Sequence, residues 1–153
     1  MKLIQLIAVV VVLLAGPAIA QQQNCFEYER HLGATPAADR AWWVTVEGDH
    51  AYVAAMYAGL EIFDISNPAA PASVGLLDTP GSCRTVMFDD GLAYIADGGS
   101  GFAIADLSDP ADPQMISTYL TGGTVYSARR QGQYLYLGDS ELDLMVFDVS
   151  NPY

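Results

Sequence analysis

From Val44 onward, apolar residues come in short runs, each closed by Gly, Asp, Asn or Pro. VTVEGDHAYVAAM is rich in β-branched and aromatic residues, with Gly48-Asp49 as a turn between two runs. VMFDDGLAYIADG repeats the arrangement with Asp90-Gly91 at the equivalent place, a dipeptide suited to the positive φ of a tight hairpin. Two further runs, GLEIFDIS and ASVGLL, end at Asn67-Pro68 and at Asp78-Thr79-Pro80-Gly81. Proline every few residues excludes continuous helix, so the pattern predicts an all-β chain. Within the runs the alternation is apolar on both sides. Leu60 and Ile62 point one way while Phe63 and Ile65 point the other; Phe102 and Ile104 oppose Ala103, Ala105 and Leu107; Leu144 and Val146 oppose Met145, Phe147 and Val149. A sheet with one wet face would alternate apolar with polar, so these sheets are expected to be buried on both faces.

The runs recur at a fixed interval. GLEIFDISNPAAP begins at Gly59, GFAIADLSDPADP at Gly101 and DLMVFDVSNP at Asp143, 42 residues apart each time. Tyr52, Tyr94 and Tyr136 share a column, as do Pro68, Pro110 and Pro152, and residues 39–80 match residues 81–122 at 12 of 42 positions. Four short strands fit one period. Small sheets buried on both faces and repeated at this spacing describe propeller-type blades of four antiparallel strands. A β-solenoid is less economical, since its turns are usually shorter than 42 residues.

The expected organisation is a signal peptide at 1–20, a spacer at 21–27, a candidate closing strand at 28–38, repeat 1 at 39–80, repeat 2 at 81–122 and an incomplete repeat 3 at 123–153. RHLGATP, residues 30–36, falls in register with ASVGLLD and is the candidate fourth strand of the last blade. That still makes three blades' worth, where closed propellers need at least about four. The chain is therefore expected to be a fragment of a larger ring or to assemble with other copies, and its ending within the repeated phrase favours the fragment.

The N-terminus changes the picture of location. Lys2, the apolar run from Leu3 to Leu14 broken only by Gln5, the Gly16-Pro17 break and Ala18-Ile19-Ala20 read as a secretory signal cleaved after Ala20. Export to the extracellular space, cell surface or periplasm is expected, with no membrane span after cleavage. From Gln21 on, five arginines stand against eighteen acidic residues, a net charge of −13. Such a field repels phosphate backbones, so nucleic acid is excluded as the expected partner.

Chemistry is sparse. Asp64-x-Ser66, Asp106-x-Ser108 and Asp148-x-Ser150 recur in every repeat, as turn residues do and ligand sets seldom do. A structural turn is preferred there to calcium, and no cofactor and no metal site are expected. His31 and His50 lie in no nucleophile context and read as ordinary strand and hairpin residues. Cys25 and Cys83 permit a disulfide in an exported chain, against a buried thiol at Cys83, whose column holds Ala41 and Val125. Trp42, Arg84 and Tyr126 share a column of large, polar-tipped side chains and are the candidate ligand-binding residues; one tryptophan of Trp42 and Trp43 is expected to wedge between blades.

The phrases GLEIFDISNPAAP, GFAIADLSDPADP and LMVFDVSNP resemble the LVIVD repeat of exported and cell-surface bacterial and archaeal proteins. The resemblance spans residues 28–153 and implies a secreted or surface β-propeller without agreed catalytic residues. The expected function is a non-enzymatic module binding an extracellular protein or carbohydrate. The alternatives are a propeller enzyme, a metal-assisted hydrolase or lyase drawing on Asp97 and Asp139, and a truncated fragment without activity of its own.

Overall fold

Eleven strands carry the chain in the computed structural model, which describes residues 32–152. The first sheet runs β1 (Trp43–Glu47), β2 (His50–Ala54), β3 (Leu60–Asp64) and β4 (Ala72–Leu77). The second runs β5 (Thr85–Asp89), β6 (Leu92–Ala96), β7 (Phe102–Asp106) and β8 (Gln114–Tyr119). The third holds β9 (Val125–Gln131), β10 (Tyr134–Asp139) and β11 (Asp143–Asp148). Each is an antiparallel meander in sequence order, so every strand reaches its neighbour through a short turn. The fold is all-β, with propeller-type blades repeating at about 42 residues.

Turn chemistry sets the hairpins. Gly48, Asp90, Gly91 and Gly132 all have positive φ between the first two strands of their blades. After the third strand, Oδ1 of Asp64, Asp106 and Asp148 accepts the N–H of Ser66, Ser108 and Ser150 at 2.8, 2.8 and 2.9 Å. Asn67 and Asp109 accept from Ala69 and Ala111 in the same way. These side-chain bonds replace the ladder where the strand ends.

Register sorts the side chains into two faces. In the first sheet Val44 pairs with Val53 and Val46 with Ala51, forming a leading face with Phe63; Tyr52, Ala54, Leu60 and Ile62 form the trailing face. That trailing face packs on the leading face of the second sheet, Val86, Ala93, Ile95, Ala103 and Ala105, with Cys83 and Leu107. The trailing face of the second sheet, Tyr94, Ala96, Phe102 and Ile104, packs on Ala128, Leu135, Leu137, Met145 and Phe147 of the third. One column set therefore supplies both interfaces. Each fully buried Leu, Ile or Val here contributes about 1.5–3 kcal/mol, and rings add to it: Tyr52 stacks on Phe88 with centroids 4.7 Å apart.

Aspartates link successive blades. The Thr79 hydroxyl and the Gly81 N–H donate to Asp97 at 2.7 and 2.8 Å; the Thr121 hydroxyl and the Glu141 and Leu142 N–H groups donate to Asp139. Each carboxylate thus ties the exit of one repeat to the second strand of the next. The equivalent pair in the first repeat is Ala37 and Ala55, where both partners are missing together.

The described part of the 28–38 segment takes no strand and does not pair with the third sheet. It crosses the leading face of the first sheet instead. Ala37 packs on Ala51, Val53 and Phe63, and the Ala38 N–H donates to Glu61 at 2.7 Å. Residues 28–31 of that segment, with the signal and spacer, lie outside the described residues.

Acid should loosen the turns. The Ser66 and Ser108 hydroxyls, then their N–H groups, hold Asp64 and Asp106 below the usual carboxylate range; the Ser150 N–H leads at Asp148. A folded pKa below the unfolded one gives stability present at neutral pH and lost as pH falls through the folded value. Asp97 acts oppositely, since burial raises its pKa and its protonation favours the fold on acidification. The triple variant Asp64→Asn, Asp106→Asn, Asp148→Asn keeps each acceptor oxygen and removes the charge. Its melting temperature is expected to fall less than the parent's between about pH 5 and about pH 3. Equal falls would place the acid sensitivity elsewhere.

Candidate functional site

The first strands of the three blades lie side by side, β1 beside β5 and β5 beside β9. The Thr45 hydroxyl donates to the Val86 carbonyl at 2.7 Å, and the Ala128 N–H donates to the Thr85 hydroxyl at 3.3 Å. This edge gathers three of the five arginines of an otherwise acidic chain, Arg84, Arg129 and Arg130. Each is held by an aromatic ring. Arg84 lies 5.0 Å from the centroid of Tyr126, Arg129 lies 5.6 Å from Trp43, and Arg130 lies 5.4 Å from Tyr94 while pairing with Asp89. A cation over a ring face contributes about 0.5–1 kcal/mol at exposed sites and more when desolvated.

Of the column Trp42, Arg84 and Tyr126, two members meet. The Arg84 guanidinium covers the Tyr126 ring, while Trp42 stands apart on the leading face of the first sheet. There it lines a cleft of about 360 Å³ with Ala41, Trp43, Val44 and Val53. Trp42 is 58% and Trp43 40% exposed. Alternation explains the exposure of Trp42, which shares the parity of Val44 on the leading face, and no sheet covers that face among the described residues; Trp43 shares the parity of Thr45 on the other face.

Trp43 joins the inner edge in its place. With Thr85, Val86, Ser127, Ala128 and Arg129 it lines a narrow cleft of about 70 Å³ at the junction of the three first strands. Arg129 and Trp43 sit in different columns of the repeat, so reading columns alone misses their contact. The available signal was the Arg129-Arg130 pair, unusual in so acidic a chain.

The remaining candidates take structural places. Among the described residues Cys83 has no disulfide partner and no exposure, and burial, with the Asp97 carboxylate nearby, pushes its thiol pKa up to about 12. It is neutral at physiological pH; Cys25 lies outside the described residues. His50 opens β2 and tilts against Tyr52, centroids 6.5 Å apart, while His31 lies outside. Asp97 and Asp139 are buried and engaged in the links between blades. Among the described residues no three His, Cys, Asp or Glu come together as a metal would require, and no helix is long and apolar enough to cross a membrane.

Two computationally designed proteins of known structure are similar to this chain. The Ika8 protein gives a TM-score of 0.59 at 8% identity, over 72% of this chain and 33% of its own. The Ika4 protein gives 0.54 at 11% identity, over 69% of this chain and 63% of its own. The chain thus spans about a third of the first and under two thirds of the second, and the likeness is one of fold alone. No curated protein matches it. The LVIVD repeat matches three times in succession, at residues 38–79, 80–121 and 122–152, within about one residue of the boundaries set by the period. The chain belongs to the LVIVD-repeat family.

Proposed function

We propose that this β-propeller repeat protein is an exported, non-enzymatic binding module, with its ligand surface on the inner edge of the blades. The supporting observation is the pairing of exposed rings with arginines in a chain of strongly negative charge: Trp43 with Arg129, and Tyr126 with Arg84. Flat aromatic faces stack on sugar rings or on side chains, and the guanidinium groups add a bidentate grip on carboxylate. Of the extracellular ligands, carbohydrate or protein, an acidic saccharide suits these groups best. Location outside the cell rests on the leader-like N-terminus.

The enzyme reading gains no support from the acids it needed, since hydrogen bonds between blades occupy Asp97 and Asp139. Titration with uronate oligosaccharides, followed by tryptophan fluorescence, tests the binding reading. Quenching is expected with the acidic series and not with neutral chains of equal length. Trp43→Ala and Arg129→Ala should each weaken it by at least about tenfold, as hot-spot truncations do. Indifference to both series, confirmed by calorimetry, would refute the saccharide assignment.

A further inference from the structure

The repeat columns show what the two terminal faces are built to meet. Leu60 and Ile62 on the trailing face of the first sheet, and Phe102 and Ile104 on that of the second, are 0 to 6% exposed beneath the following blade. Leu144 and Val146 hold the same columns on the third sheet and are 66% and 53% exposed. The leading faces mirror this: Val86 and Ala128 are buried, while Val44, their counterpart on the first sheet, is 56% exposed. One end of the chain displays the surface that its own blades cover twice, and the other end displays the surface that covers it.

A second observation concerns residues 32–38. Gly75 in β4 runs so close to the next blade that an added Cβ would lie 2.1 Å from the Pro110 carbonyl oxygen. Gly33, one period earlier, comes as close to the first sheet, with an added Cβ 2.4 Å from the Ala69 carbonyl oxygen. Pro68, beside Ala69, is the counterpart of Pro110. The segment therefore lies against the first sheet where β4 lies against the second, in the place of a fourth strand. Meanwhile β11 closes the third sheet with a free edge among the described residues.

We propose that the trailing face of the third sheet docks on the leading face of the first sheet in a second copy of this chain, head to tail. Leu144 and Val146 then cover Val44 and Val46 as Ile62 and its neighbours cover Val86. The partner's 32–38 segment adds beside β11 as the fourth strand, with Gly33 opposite Val146 as Gly75 stands opposite Ile62. Such a contact is heterologous, and it closes only if the ring closes. The described residues of two copies hold six blades, within the about four to eight of propellers, and the ring proposed is a two-fold one.

Sedimentation of the purified chain tests this, with twice the chain mass expected at micromolar concentration. Val44→Arg and Leu144→Arg change side chains exposed in the single chain, so each variant should keep its β spectrum and sediment as a monomer, with association weakened at least about 100-fold by a charge in an apolar contact. Mixing the two variants should restore a dimer, because the intact trailing face of the first fits the intact leading face of the second; a face-to-face contact would gain nothing from mixing. A second readout does not depend on the arginine variants folding. Val44→Cys and Leu144→Cys chains, one of them isotope-labelled, should form a disulfide that mass spectrometry assigns between chains. A wild-type monomer overturns the proposal, as does a reading frame whose further repeats cover both faces within one chain.

Discussion

Gly101→Ala is expected to lower stability by at least about 3 kcal/mol, read from the urea midpoint at unchanged slope. Two effects combine. Gly101 has φ +81°, a conformation that costs an L-residue about 1–2 kcal/mol. Its Cβ would also stand 1.9 Å from the Tyr119 carbonyl oxygen and 3.0 Å from the Thr121 N–H nitrogen, both backbone atoms of or next to β8. No rotamer relieves such a clash; the fourth strand must move, and the Thr121–Asp139 bond to the next blade moves with it. Asp143 in the third repeat provides the control. It already has φ 58°, and among the described residues no fourth strand stands opposite it. Asp143→Ala should therefore cost about 1 kcal/mol or less. A loss of only about 1–2 kcal/mol at Gly101 would show that φ, rather than the facing carbonyl, makes glycine necessary.

That contrast also shows where the sequence was legible. The period, the two apolar faces and the turn dipeptides are local patterns repeated in register, so they could be read without knowing which strands meet. Leu60 and Ile62 opposing Phe63 already contained the two-sided sheet. What escaped reading depends on contacts between columns. The Trp43–Arg129 pair joins strands from non-adjacent blades. Glu61 stands alone in a column with Ala103 and Met145, and only the structure shows that it anchors Ala38 and Ser73. The Asp97 and Asp139 column resembled a partial metal set because its partners lie 18 residues earlier, at Thr79 and Thr121. Joint replacement of both partners by Ala37 and Ala55 was the visible sign that the two columns act as one. Trp42 came out exposed because burial of the leading face depends on a neighbouring sheet, and residue type does not reveal whether one is there.

Ile62→Ala and Val146→Ala put the stacking argument to its strongest test, since the two residues occupy one column. Ile62 is fully buried against the second sheet, in a cluster with Val86, Ile95 and Ala103. Truncation there removes transfer energy and leaves a cavity between two sheets that cannot close over it, so a loss of about 2–5 kcal/mol is expected. Val146 faces solvent on the single chain, and its truncation should cost within about 0.5 kcal/mol when unfolding is followed at nanomolar concentration. Raising the concentration separates this from a trivial surface effect. In a head-to-tail ring the parent gains stability by mass action and the Val146 variant gains less, so the gap between them should widen. Similar losses at Ile62 and Val146 in dilute solution would mean that blade-on-blade burial is not what holds these sheets.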